Sequence, residues 1–255
     1  MIHHPSCTAL SVTPEIVLYH KGPHLDLGPL PAVFYFALSG QDSLCLDPFN
    51  QPIEYLAGQM IRTFSLTLPA HEAPLSPHDA LGVWAEDFSK GIDCLQVCID
   101  QIQIALRFAI EKKFVDPEKV AIAGLSRGGL VAAFAAAEEP LFRYLLAFAP
   151  VTKLGEAKEF LSLQNSPLVR FYDAARLAPL LADRCVRIYI GNRDERVSTK
   201  HCFDFTMELV EKAHAARIRP AQIELIISPS IGHMGHGTSP DVFHQGAKWL
   251  IQNLQ

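Results

Sequence analysis

The sequence predicts an α/β fold: a mostly parallel β-sheet with helices on both faces. Three observations carry this. Fully apolar runs of strand length, such as Ala32–Leu38 and Tyr144–Pro150, read as strands covered on both sides. Between such runs stand longer segments with apolar residues at helical spacing, as at Ile92, Leu95, Ile99, Ile102, Leu106 and Ile110. Strand and helix readings then alternate toward the C-terminus, the order that builds parallel crossover units.

The elements follow in order. Pro14–His20 is apolar and β-branched enough for a strand, which Gly22-Pro23 breaks. Ala32–Leu38 is a central strand ended by Ser39-Gly40-Gln41-Asp42. A short helix covers roughly Ile53 to Gln59, and Met60–Leu68 is the next strand. Pro69–His78 is a polar loop. Trp84–Lys113 reads as one long helix, and Asp116–Lys119 as the turn into a strand beginning at Val120. A helix after Ser126 runs to about Glu139, and Tyr144–Pro150 is a buried strand. Residues 151–184 are amphipathic and too long for a simple crossover, so they read as a small helical lid. Val186–Gly191 is a strand, Ser198–Ala216 a helix, Gln222–Ser228 the last strand and Pro240–Leu254 the last helix.

Composition bounds the rest. At 255 residues the chain reads as a single domain, 1–255, with 151–184 inserted as the lid. Hydrophobic content of 49% against 19% charged residues fits a globular core and opposes disorder. A net charge of −5 with no basic stripe gives no basis for nucleic-acid binding. Met1–Cys7 lacks the charged and apolar regions of a signal peptide, and no run of about 18 apolar residues exists to span a membrane. The six cysteines therefore read as reduced thiols of a cytoplasmic protein, with Cys94 and Cys98 one helical turn apart for packing. Oligomeric state is not legible.

The chemistry concentrates in Gly124-Leu125-Ser126-Arg127-Gly128, set between an apolar strand and an Ala-rich helix. A G-x-S-x-G turn there exposes the serine hydroxyl above the strand end and aims the next helix's N-terminal amides at a nascent oxyanion. A hydroxyl becomes a useful nucleophile when a base takes its proton, and a carboxylate must hold that base in its tautomer. Two later strand ends supply candidates. Asp194 and Glu195 follow one; His233, after Gly232, and His236, between Gly235 and Gly237, follow the other. His233 and His236 also form an H-x-x-H pair, but no third ligand at a convincing spacing accompanies them, so no metal or cofactor is expected. The Arg127 side chain reads as a helix-start residue with its head in solvent or paired with an acid; the other reading is attraction of a carboxylate-bearing substrate.

These motifs resemble the α/β-hydrolase superfamily, in its dienelactone hydrolase and prolyl-oligopeptidase-like branch. The resemblance rests on Gly124-Leu-Ser-Arg-Gly-Gly129, Gly191-Asn-Arg-Asp194-Glu-Arg-Val197 and Gly232-His233, and covers about residue 30 onward. It implies an α/β-hydrolase fold and a Ser126–Asp194–His233 triad. The oxyanion hole would be formed by the Arg127 amide and, by analogy, that of Gln41. Where such proteins often carry His-Gly, this chain has Ser39-Gly40-Gln41. The implied activity is hydrolysis of a small-molecule carboxylic ester or thioester through an acyl-enzyme. The alternatives are a serine peptidase, a lyase or peroxidase using the same triad, and a ligand-binding protein.

Overall fold

The structure is a computed structural model that describes residues 7–255; Met1–Ser6, the greater part of the segment judged to be no signal peptide, lie outside the described residues. One eight-stranded sheet carries the fold, in the order β1-β2-β4-β3-β5-β6-β7-β8. An antiparallel edge comes first: β1 (Thr8–Ser11) pairs with β2 (Val17–Lys21), and β2 pairs antiparallel with β4. After β3 (Leu30–Phe36) come α1 (Gly40–Cys45), α2 (Gln51–Leu56) and β4 (Arg62–Ser65). Then follow α3 (Ala80–Ser89), α4 (Cys94–Glu111), β5 (Val115–Leu125), α5 (Arg127–Glu138) and β6 (Tyr144–Phe148). The chain continues through α6 (Pro167–Phe171), α7 (Ala178–Leu181), β7 (Cys185–Gly191), α8 (Thr199–Ala215), β8 (Ile223–Ser228) and α9 (Pro240–Leu254). From β4 to β8 all neighbours are parallel, which makes this the α/β-hydrolase fold.

Strand periodicity sorts the core. Phe34, Phe36, Ile122, Leu145, Ile188 and Ile190 face the layer that includes α4, α5 and α8. Their alternates Val33, Tyr35, Ala121, Ala123, Leu146, Phe148 and Tyr189 face α2 and α9. Both faces of the central strands are therefore apolar, as a doubly covered parallel sheet requires. Arg62 is fully buried in β4, and its guanidinium donates to the carbonyls of Pro23, His24, Gly28 and Phe114. The fold thus satisfies this buried cation with oxygens at every nitrogen.

Four readings of the sequence need correction. The long helix is two: Gly91, at φ +77, ends α3 in a conformation that glycine adopts freely, and Asp93 caps α4 by accepting from the Gln96 amide. Asp116–Lys119 lies within β5, beside a register irregularity against β3. The strand at Thr8–Ser11 has no counterpart in the reading, because at this sheet edge three of its four residues are exposed and only Leu10 is half-buried, which leaves little hydrophobic period. Residues 151–184, read as a small helical lid, fold as 3₁₀ turns and two short helices. Their Phe160, Val169 and Tyr172 are buried in the main core, and the Tyr172 hydroxyl donates to Asp93 Oδ1 at 2.7 Å.

Candidate active site

Ser126 stands between β5 and α5 with φ +56 and ψ −117, a backbone conformation that a non-glycine residue holds only when its surroundings force it. The forcing contacts are visible. Ser126 N–H donates to Phe148 O at 2.9 Å, and Ser126 O accepts from Gly129 and Val151 N–H, both at 3.0 Å. A Cβ on Gly124 would come within 2.2 Å of Gly128 O, and one on Gly128 within 2.0 Å of Phe36 O. Both glycines are needed so that β3, β5 and the start of α5 can meet at this turn.

Asp194 follows β7 and is buried, with 4% of its surface exposed. Its Oδ1 accepts the Arg196 and Val197 amides, each at 3.0 Å, so the loop holds the carboxylate from its own backbone. Oδ2 lies 2.7 Å from His236 Nδ1, and His236 Nε2 lies 2.9 Å from Ser126 Oγ. Serine hydroxyl, imidazole and buried carboxylate thus form one hydrogen-bonded chain drawn from three strand ends.

The histidine in that chain is His236 and not His233. After β8 the backbone turns at Gly232 (φ +73), Met234 (φ +53) and Gly235 (φ +71), and Gly237 N–H returns to Ile231 O at 2.7 Å. A Cβ on Gly235 would fall 2.1 Å from Arg193 O, so this turn seats directly on the Asp194 loop. That seating aims His236 at Asp194 and leaves His233 on the exposed limb of the turn, lining the cavity outside. Glycine on both sides of His236 was the available sign. Glu195, the rival candidate to Asp194, is exposed and pairs with Arg193 at 2.9 Å.

Of the two amides proposed for an oxyanion, Arg127 N–H begins α5 immediately after Ser126. Gln41, the other, lies in the first turn of α1. The Gly40 amide donates to Thr67 Oγ1, Gly40 packs against the Tyr19 ring, and α1 lies against β2, β3 and β4. The Ala37 and Leu38 amides, immediately after β3, both donate to Ser43 Oγ.

A cavity of about 460 Å³ opens over Ser126. His78, Leu81, Val151, Glu159, Leu161, Arg196 and His233 are among its lining residues. Beside it the Arg127 guanidinium is largely buried; burial first, and then the charge of Arg196, push its pKa down to about 10, against the opposing pull of Glu159. The residue is half-buried, with Nη1 shut away from water, and it forms no ion pair with an acid among the described residues. His71 is buried nearby, and burial followed by the Arg127 charge pushes its pKa down to about 4. Among the described residues no group of three or more His, Cys, Asp or Glu side chains could hold a metal ion, and no helix is long and apolar enough to cross a membrane.

With fold and site in view, the class of protein is that of the α/β-hydrolases. Residues 92–255 match Peptidase_S9, the prolyl oligopeptidase family, and the chain belongs to it. Comparison with curated protein sequences finds no match. Among solved structures, it is similar to a cold-adapted esterase from an Arctic intertidal metagenomic library, at 18% identity and TM-score 0.68, over 98% of this chain and 93% of that one. It is similar to Est1E from Butyrivibrio proteoclasticus, solved with ferulic acid bound, at 17% identity and TM-score 0.63, over 97% and 98%. It also resembles Porphyromonas gingivalis dipeptidyl peptidase 4, at 20% identity and TM-score 0.66. There it covers 97% of this chain, which spans only 35% of the peptidase; against the dipeptidyl aminopeptidase of Bacteroides ovatus the share is again 35%.

Proposed function

We propose that this chain is a serine hydrolase that cleaves a carboxylic ester or thioester through an acyl-enzyme on Ser126. The observation that carries the reading is the unbroken chain from Ser126 Oγ through His236 to Asp194, at 2.9 and 2.7 Å. In it, Ser126 Oγ attacks the carbonyl carbon while His236 Nε2 takes its proton. Asp194, held by two backbone amides, fixes the imidazole tautomer and stabilises the imidazolium. The Arg127 amide, at the positive end of α5, receives the oxyanion. His236 then returns the proton to the leaving alcohol or thiolate, and the same groups activate water to release the acid.

Residues 151–184 act as a cover that shapes the acyl pocket. Val151, Ala157 and Leu161 reach the cavity, while Phe160 and Tyr172 tie the cover to the core. An ester is preferred over a peptide because this chain alone encloses a cavity of small-molecule size. The cytoplasm is the assigned compartment, since six thiols suit reducing surroundings.

The test combines a fluorophosphonate probe with matched substrates. An adduct located on Ser126 by mass spectrometry, absent in Ser126→Ala and His236→Ala, is expected. Turnover of 4-nitrophenyl esters in excess of peptide 4-nitroanilides is expected as well. Faster anilide cleavage would shift the reading to a peptidase, and folded protein with no adduct would favour the ligand-binding reading.

A further inference from the structure

Beside the nucleophile lies a cation with no counter-ion. The Arg127 guanidinium makes no hydrogen bond and no ion pair within 4.0 Å to any described residue, and its Nη1 is buried without a partner. The fold treats its other buried arginine differently, since Arg62 donates to four carbonyls. Arg127 is half-buried overall, but a guanidinium nitrogen shut away from water is ordinarily hydrogen-bonded or paired, so its Nη1 is anomalous unless something else completes it.

Its surroundings say what that would be. Arg196 stands close enough for its charge to be felt at Arg127, and it too has no ion pair among the described residues. Glu159 is the one carboxylate that acts favourably on Arg127, yet it stands beyond ion-pair distance and meets Lys158 instead, at 3.6 Å. His71 is 4% exposed, and its Nδ1 is engaged by Pro69 O at 2.8 Å. That leaves Nε2 buried with no partner, near enough for the imidazole to feel Arg127. Two like charges, Arg127 and Arg196, thus oppose one another beside the nucleophile, and Arg196 and Glu159 both line the cavity over Ser126. The repulsion between Arg127 and Arg196 is relieved by a single anion.

We infer that the substrate carries a carboxylate, which seats against Arg127 and Arg196 while its ester carbonyl lies at Ser126. This rests on the hydrolase reading and narrows it to half-esters of dicarboxylic acids or esters of hydroxy acids. A planar guanidinium matches a carboxylate with two parallel donors, and the second arginine closes the site from the cavity side.

The test uses two substrate pairs. In one, 4-nitrophenyl hemiglutarate is compared with 4-nitrophenyl pentanoate, placing the carboxylate on the acyl side. In the other, the butyrate ester of 4-hydroxybenzoate is compared with phenyl butyrate, placing it on the leaving side. One anionic ester should exceed its neutral partner in kcat/KM by roughly 10- to 100-fold, carried by KM. That ratio should fall toward one in Arg127→Gln and with added salt. It should fall also in Arg196→Gln, an exposed position whose loss leaves the fold intact. Equal rates within both pairs, or a ratio that survives both substitutions, overturns the inference. Protection of Ser126 from fluorophosphonate by glutarate, but not by glutaramide, reads the same site without turnover. Labelling without such protection removes the anion site and leaves the hydrolase standing; no labelling at all removes both.

Discussion

Replacing His236 with alanine is the perturbation that most directly tests the site. The side chain holds both hydrogen bonds of the proposed triad, 2.9 Å to Ser126 Oγ and 2.7 Å to Asp194 Oδ2. A positioned general base contributes about 10²- to 10⁴-fold, and members of such a unit fail together rather than additively. The expected loss in kcat is therefore at least roughly 10³-fold, or about 4 kcal/mol of transition-state stabilisation. His233 supplies the internal control. It is exposed, makes no side-chain hydrogen bond among the described residues, and stands three residues away on the same turn. His233→Ala should stay within about threefold of the parent, as surface changes commonly do. Both variants are assayed on one 4-nitrophenyl ester, with urea midpoints recorded because Asp194 loses one of three partners in His236→Ala. Inactivation by His233→Ala with activity retained in His236→Ala would refute the assignment and the reading of the β8 loop with it.

Further outcomes follow from the same contacts. Asp194→Asn keeps an oxygen for the Arg196 and Val197 amides but presents an amide NH₂ to His236, so kcat should fall about 10⁴-fold with the urea midpoint little changed; activity within tenfold of the parent would count against Asp194. Gly128→Ala places a methyl 2.0 Å from Phe36 O, a backbone atom that cannot step aside, and should cost about 3 kcal/mol or more in urea unfolding. Tyr172→Phe removes the hydroxyl bound to Asp93 and should cost about 1–3 kcal/mol, read by thermal unfolding; no change would show that residues 151–184 are not anchored there. His20 and His71 both have pKa values lowered to about 4 by burial, against 6.5 when unfolded. Between these values the unfolded chain holds the extra protons, so stability should fall as pH drops from 6.5 to 4, by up to about 3 kcal/mol per histidine. Urea midpoints at pH 7 and 4.5 measure this, and His71→Asn should flatten the slope.

What the sequence made legible follows from how strongly each feature is constrained. The central strands could be read because both of their faces are buried, which leaves apolar runs at Ala32–Leu38 and Tyr144–Pro150 with little else they could be. The break at Gly91 was masked because apolar residues continue at helical spacing on either side of it, and a lone glycine is tolerated in many helices. Residues 151–184 carry helical amphipathicity, yet Pro167 and Pro179 start new turns and the chain folds into short pieces. Arg127 illustrates a different limit. Sequence shows a charge at a helix start, whereas the titratable groups that interact with it, Arg196, Glu159 and His71, lie 69, 32 and 56 positions away in the chain.

The three members of the hydrogen-bonded chain differ in how much freedom the fold gives them, and this explains why the structure brings in His236 where the sequence pointed to His233. Ser126 is fixed by packing: Gly124, Gly128 and Gly129 admit no side chain against Gly128, Phe36 and Pro150, so the serine has one place to stand. Asp194 is fixed by its own loop, because two amides close around Oδ1 within three residues. The histidine hangs from a longer turn whose path is set by left-handed residues rather than by a sheet. Three of the four residues Gly232–Gly235 have positive φ, and each reverses where the next side chain points. Strand order can place a base on this loop, but the handedness of each step selects which histidine faces the carboxylate. Gly235 marks the answer, since only a residue without Cβ can lie against Arg193 O and deliver its neighbour His236 to Asp194.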